Sequence, residues 1–119
     1  MRIERELMRG AGPVAILKLL SQREMYGYEL VETLASRTDG VLAMGQSTVY
    51  PLLYNLEAKG LVRSERRRVE NGRERKYYGL TGDGERRLAA EVEQWQAVNG
   101  AMQSLGVIRG AGMLGNALA

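Results

Sequence analysis

The chain has 119 residues, of which 45% are hydrophobic and 26% are charged, a composition typical of one globular domain and not of a disordered or membrane-spanning chain. Its formal net charge of +3 is a weak indication of a polyanionic partner. Because it contains no cysteine and no histidine, disulfides, thiolate metal sites, thiol nucleophiles and the commonest general base are excluded.

Two helices are predicted near the N-terminus, because apolar residues recur there at helical spacing. The first covers about residues 6–20 and contains Pro13, and the second covers about residues 28–38. A short polar break at 21–25 separates them. The turn pair Asp39-Gly40 follows the second helix.

A third helix is predicted to begin at Ser47, a good N-cap residue, and to end at Lys59-Gly60. Its apolar residues at i, i+3, i+4 and i+7 predict a core face formed by Val49, Leu52, Leu53 and Leu56. Counted from Ser47 as the cap, Pro51 falls at the fourth helical position. There it costs at most the first intrahelical hydrogen bond, so we expect the helix to continue through it.

Two extended segments, 61–70 and 73–80, follow the third helix and flank Asn71-Gly72. Asn-Gly between extended runs predicts a β-hairpin closed by a two-residue type I′ turn. That turn would place Glu70 opposite Arg73, Arg68 opposite Arg75, and Arg67 opposite Lys76. The hairpin is apolar at its base and almost wholly charged at its tip, which is the shape of a wing.

Positive charge is concentrated around this hairpin, since residues 63–87 include nine basic residues against five acidic ones. Like charges on neighbouring strands repel each other. A sugar-phosphate backbone beside the hairpin would relieve that repulsion and release counterions, so we interpret the hairpin as a phosphate or minor-groove clamp. The alternative is a solvated edge that only prevents aggregation.

Thr81 is predicted to cap a last, long helix that extends to about residue 105. Spacings of four and three along it indicate a dimerisation seam formed by Leu88, Val92, Trp95, Asn99 and Met102. Gly82 and Gly84 stand in its first turn, where good helix formers would be expected. Gly106 ends the helix, and we expect the Gly- and Ala-rich residues 106–119 to form a flexible tail.

This order of elements predicts a mainly α protein with a small β-hairpin: a winged helix-turn-helix over residues 1–81, followed by a C-terminal dimerisation helix over 82–105. In that fold the third helix enters the DNA major groove and the hairpin flanks it. The candidate DNA contacts are Tyr26, Gly27, Tyr28, Gln46, Ser47, Thr48, Tyr50, Tyr54, Asn55, Arg68, Asn71, Gly72, Arg73, Arg75 and Lys76. The tyrosines equally fit a partly buried core, and Gly27 equally fits a glycine required only for packing.

Four segments of the chain carry a family resemblance: YGYEL at 26–30, STVYPLL at 47–53, LEAKGLV at 56–62 and GRERKYYGLT at 72–81. Together they resemble the PadR family of transcriptional regulators. The resemblance implies a homodimeric repressor of the short subfamily, in which the single C-terminal helix packs against helix one and the partner's equivalent. It further implies binding to a palindromic double-stranded operator and release by an effector. Trp95 matches the tryptophan on which drug-sensing relatives stack flat aromatic ligands. Its position on the seam favours the alternative, an ordinary dimer-core residue.

Other classes of function have less support in the sequence. No nucleophile-base pair, metal cluster or phosphate loop can be assembled, so neither an enzyme nor a cofactor is predicted. No long apolar run occurs and the first residues are charged, so we expect a cytoplasmic protein without a membrane span. The competing interpretation is a protein-interaction or scaffold module that uses the C-terminal helix and does not bind DNA.

Overall fold

The computed structural model describes residues 1–109, which contain four helices and a three-stranded antiparallel sheet. In chain order the elements are α1 (Arg5–Gln22), β1 (Met25–Tyr26), α2 (Gly27–Arg37), α3 (Gln46–Ala58), β2 (Val62–Arg68), β3 (Glu74–Leu80) and α4 (Gly82–Ser104). The predicted mainly helical, winged helix-turn-helix class is confirmed. Of the predicted flexible tail, residues 110–119 lie outside the described part of the chain.

The chain divides into two compact units, of which the first is Met1–Leu88 and the second begins at Ala89. The first unit has a core of side chains from α1, α2, α3 and the sheet. Its most deeply buried members are Ile16, Leu17, Leu30, Leu34, Val49, Leu53 and Tyr78. Burying an aliphatic side chain stabilises a fold by about 1.5–3 kcal/mol, so these residues hold the three helices against the sheet. Within residues 1–109, no helix combines the length and the apolar character needed to cross a bilayer.

The start of α3 differs from the prediction. The N-cap is Gly45, whose carbonyl accepts hydrogen bonds from the N–H groups of Thr48 and Val49, both at 3.0 Å. Ser47 therefore lies inside the first turn and is not the cap. Pro51 becomes the sixth helical residue, and its missing N–H leaves the carbonyl of Ser47 without its usual partner. The helix nevertheless continues to Ala58.

The hairpin is displaced by one residue from the predicted register. Arg66 lies opposite Lys76, Arg67 opposite Arg75, and Arg68 opposite Glu74. A one-residue shift moves a strand's side chains to the other face of the sheet. The observed register puts the buried Val62 and Tyr78 on the same face, toward the core, whereas the predicted one would have separated them.

The turn at the tip explains this register. Gly72 has a φ of +81°, but Asn71 does not have a positive φ, so the type I′ turn predicted at Asn71-Gly72 does not form. Instead the N–H of Gly72 donates to the carbonyl of Val69 at 2.9 Å, and the N–H of Val69 donates to the carbonyl of Arg73 at 2.8 Å. The result is a longer loop with its one left-handed residue at Gly72.

A short strand, β1, was not predicted. It pairs with β3 as Met25 opposite Tyr78 and Tyr26 opposite Tyr77, which makes β3 the central strand. Two residues are too few for periodicity to reveal a strand. This pairing ties the start of α2 directly to the hairpin.

The first turn of α4 is formed as predicted, in spite of its glycines. The hydroxyl of Thr81 accepts a hydrogen bond from the N–H of Gly84 at 3.0 Å and donates one to the carbonyl of Gly60 at 2.7 Å. A Cβ at Gly84 would come within 2.7 Å of the Leu80 side chain and closer still to the Leu61 carbonyl oxygen. Gly84 is therefore required by close packing. At the other end α4 stops at Ser104, and Gly106 adopts a φ of +77°, as the prediction of a helix stop there requires.

Candidate nucleic-acid interface

A groove of about 540 Å³ lies between α3, the start of α2 and strand β3. Its lining residues are Tyr26, Gly27, Tyr28, Tyr50, Tyr54, Arg73, Glu74, Arg75, Lys76 and Tyr78. The hairpin formed by β2 and β3, called the wing below, thus shares one concave surface with the helix predicted to enter the major groove. Five of these residues are tyrosines, and three, Arg73, Arg75 and Lys76, are cations of the wing.

The remaining predicted contacts lie outside this lining. Gln46, Ser47, Thr48 and Asn55 are exposed on α3, and Arg68, Asn71 and Gly72 are exposed at the tip of the wing. All of them are accessible to a large partner. Their roles in binding stay predictions.

Gly27 is buried beneath the ring of Tyr50. A Cβ at Gly27 would come within 2.5 Å of the Tyr50 hydroxyl oxygen, so a larger residue would force the tyrosine to move. The packing interpretation of this glycine therefore has direct geometric support. Its proposed approach to a phosphate stays a prediction.

One face of the wing carries a network of cations, rings and two carboxylates, Glu24 and Glu65, which both bind Arg67. Glu24 accepts hydrogen bonds from Arg67 at 2.8 Å and from Arg63 at 3.0 Å, and these two arginines hold the pKa of that carboxyl below its usual range. The Arg67 guanidinium lies 4.9 Å from the centroid of the Tyr77 ring, and that of Arg75 lies 4.4 Å from the Tyr26 ring. Since cations are attracted to aromatic faces, the protein itself relieves part of the repulsion between Arg67 and Arg75. DNA is not needed to explain that pair.

The opposite face of the wing looks onto α3. Here Lys76 Nζ lies 3.7 Å from Glu57 Oε1 and 5.4 Å from the ring centroids of Tyr54 and Tyr78. The hydroxyl of Tyr78 is buried and has no hydrogen-bond partner among the described residues. Its burial raises the pKa of Tyr78 to about 12, with Tyr54 and Glu57 adding to the shift.

Residues 16–90 match the transcriptional regulator PadR-like family. The chain belongs to this family. Solved structures agree with the assignment. A PadR family transcriptional regulator from Eggerthella lenta is 34% identical, with a TM-score of 0.74 and coverage of 84% of this chain and 85% of that one. A transcriptional regulator from Clostridium thermocellum is 26% identical, with a TM-score of 0.77 and coverage of 86% and 96%.

A third structure is that of Bacillus subtilis PadR in complex with operator DNA. It is 26% identical, has a TM-score of 0.64, and is matched over 69% of this chain and 47% of its own. The PadR-like chain is accordingly a transcriptional regulator and not an enzyme, as the sequence predicted.

Three residues of this PadR-like regulator that shape the groove and the wing were missed in the sequence. Glu24 pairs with Arg63 and Arg67, which are 39 and 43 positions away in the sequence. Glu57 pairs with Lys76, 19 positions away. No local pattern reveals contacts over such separations. Tyr78 belongs to the apolar base of the hairpin, and only its buried hydroxyl, which has no hydrogen-bond partner among the described residues, marks it as unusual. A simple signal did exist for Glu57, because it is the only charged residue of α3.

Proposed function

We propose that this PadR-like regulator is a repressor that binds a palindromic operator as a homodimer. The shared groove carries the proposal, because residues of α3 and the wing cations Arg73, Arg75 and Lys76 line it together and can meet one partner. In winged helix proteins the helix reads base edges in the major groove while phosphate contacts fix the register. Thr48, Tyr54 and Asn55 are exposed on α3 and supply polar groups for such contacts.

The distribution of charge on the wing supports contact with phosphates. Arg66, Arg68 and Arg73 are exposed and form no salt bridge within residues 1–109. Cations without a carboxylate partner release counterions when they neutralise a phosphate. We assign Arg73 and Arg75, which line the groove, to phosphate contacts.

Exposed apolar side chains on α4, in the second unit, support the proposed homodimer. Trp95, Val98 and Met102 of α4 are 45%, 54% and 39% exposed in the single chain. A contiguous set of large apolar side chains on a helix is typical of an interaction surface. Two copies joined there would present two copies of α3, and two-fold symmetry matches a palindromic site.

Salt-dependent DNA retardation tests the proposal, with the DNA immediately upstream of the chain's own gene as the first probe. We expect Arg73→Gln to weaken binding to every sequence and to lower the slope of log K against log salt by about 0.9 for each wing that loses a phosphate contact, which is about 1.8 for the homodimer. Arg37→Gln is the matched control, since Arg37 lies in the last turn of α2, outside the groove lining, and hydrogen-bonds Gln22. An Arg73→Gln slope equal to that of the control would contradict the assignment of the wing.

A scaffold module that uses only α4 is the second candidate, because the same exposed apolar residues would suit a protein partner. It requires that the purified chain retards no DNA even at low salt. Binding at low salt that disappears with Arg73 and Arg75 both replaced by Gln would eliminate it. We also propose a cytoplasmic location, since a regulator must meet the chromosome.

An effector is the remaining part of the family's behaviour to be tested. Trp95 is the only tryptophan of the chain and is 45% exposed, so its fluorescence reports directly on a flat aromatic ligand stacked against it. Quenching by such a ligand together with loss of DNA retardation would assign an effector site. Dimerisation without quenching would assign Trp95 to the interface alone.

A further inference from the structure

Helix α3 has one charged residue, and that residue is acidic. Glu57 lies in the last turn of the helix, with its side chain 35% exposed. A carboxylate beside a DNA-binding surface repels phosphates, so its presence needs a reason. Its two oxygens have different partners: Oε2 accepts a hydrogen bond from Ser64 Oγ at 2.5 Å, and Oε1 lies 3.7 Å from Lys76 Nζ.

Lys76 is held on several sides at once. Its ammonium lies between Glu57 and the rings of Tyr54 and Tyr78, at 5.4 Å from each centroid. Across the sheet it stands opposite Arg66. A like charge in that position favours a carboxylate neighbour for the lysine. Arg73, which also lines the groove, is exposed and has no ion pair among the described residues.

We propose that Glu57 withholds Lys76 from DNA, so that the wing binds phosphates with one cation fewer than its sequence suggests. This inference rests on the proposed function of the wing. A lysine whose charge is already compensated by a carboxylate neutralises no phosphate. It therefore releases none of the counterions condensed on the DNA and adds nothing to the salt dependence of binding. Glu57 thereby limits the affinity for DNA of any sequence, while the uncharged polar residues of α3 are left to discriminate between sequences.

Glu57→Gln is the direct test, because glutamine keeps an oxygen that accepts from Ser64 and removes only the charge. We expect the salt slope on a non-operator duplex to become steeper by about 0.9 per wing, or about 1.8 for the homodimer, since Lys76 of each copy is released to a phosphate. Between 50 and 200 mM salt the variant should lose about twelvefold more affinity than the wild type, as one additional contact per wing requires.

Lys76→Gln is the second test, and it does not depend on the folding of the first variant. In the wild-type background it should leave the salt slope unchanged, in contrast to Arg73→Gln. In the Glu57→Gln background it should remove the whole gain, so that the double variant has the wild-type slope. This non-additivity identifies coupling between the two side chains.

Two results would overturn the inference. If Lys76→Gln alone lowers the slope by about 0.9 per wing, the lysine already binds a phosphate in the presence of Glu57. If Glu57→Gln strengthens binding equally with and without Lys76, the carboxylate acts by simple repulsion. Arg73→Gln in the same assay separates this inference from the proposed function: an unchanged slope there removes the wing from DNA altogether, whereas a lower slope with an additive Glu57–Lys76 cycle removes only the present inference.

Discussion

Two glycines in the first turn of α4 occupy different environments. Gly84 is buried against Leu61 and Leu80, whereas a Cβ at Gly82 would have Arg86 as its nearest neighbour, at an ordinary 3.7 Å. Helix propensity alone makes glycine equally unfavourable at both positions. The structure distinguishes the two roles, because only the missing Cβ of Gly84 lets the helix approach the backbone of residue 61.

Gly84→Ala should therefore lower the free energy of unfolding by about 3 kcal/mol, the upper part of the usual range for overpacking. Gly82→Ala should change it by less than about 1 kcal/mol, because alanine is the better helix former and meets no obstacle. Chemical denaturation of both variants gives the comparison. Equal values for the two would contradict the close packing described for Gly84.

The buried hydroxyl of Tyr78 makes the stability of the fold depend on pH at the alkaline end. Burial raises its pKa to about 12, whereas an unfolded tyrosine titrates near 10. Between these values the unfolded chain releases a proton that the folded chain keeps, so the free energy of unfolding falls as the pH rises. Below pH 10 the Tyr78 hydroxyl is protonated in both states, so it does not make the free energy of unfolding depend on pH.

Tyr78→Phe should reduce this alkaline loss, since phenylalanine has no proton to release. At pH 7 the variant should be as stable as the wild type or more stable, because an unpaired buried hydroxyl is replaced by an apolar group of the same shape. Urea denaturation at pH 7, 10 and 11 measures both effects. An identical pH dependence in the two proteins would show that Tyr78 titrates normally.

Among the secondary-structure elements, the turn at the tip of the wing fixes the strand register and therefore which cations lie opposite each other. The turn runs from Val69 to Gly72, with Glu70 at its first central position. In a type I turn, proline is favoured at the first central position. In the register predicted from Asn-Gly, Glu70 would instead be a paired strand residue, where proline removes a ladder hydrogen bond.

Glu70→Pro thus distinguishes the two registers. We expect it to leave the free energy of unfolding unchanged or to raise it by about 0.5 kcal/mol through the unfolded state. Val69→Pro is the matched control and should be destabilising, because it removes the N–H that donates to the carbonyl of Arg73. Thermal denaturation followed by circular dichroism suffices. A destabilised Glu70→Pro would favour the two-residue turn.

At the scale of the whole molecule, the proposed homodimer depends on α4. Trp95→Glu should convert a dimer at micromolar concentration into a monomer, because a carboxylate would be buried in the proposed interface. Gln96→Glu, at the neighbouring exposed position, adds the same charge outside the seam and should remain dimeric. Sedimentation velocity gives the oligomeric state. A Trp95→Glu variant that sediments like Gln96→Glu would remove Trp95 from the interface.

DNA binding should follow the oligomeric state. Two linked DNA-binding units raise each other's effective concentration on a palindromic site. We therefore expect the monomeric variant to bind a full operator hardly better than a single half-site. The Gln96→Glu control should keep the wild-type preference for the full operator.

The sequence by itself determined the order and approximate bounds of the four helices, the cap at Thr81 and the position of the wing. Each of these depends on residues within a few positions of one another: apolar spacing along one helix face, a hydroxyl and the N–H three residues on, a glycine at a turn. Segments 26–30 and 72–81 likewise pointed to the PadR family before any contact was known.

The tertiary structure alone decided the register of the wing, the pairing of β1 with β3, the packing of Tyr50 on Gly27 and the partners of Glu24 and Glu57. These features join residues that are distant in sequence. Burying Val62 and Tyr78 on one face of the sheet stabilises the observed register more than a two-residue turn at Asn71-Gly72 would stabilise the predicted one. Local patterns cannot predict this outcome, because the free energy of burial depends on contacts between residues that are distant in sequence.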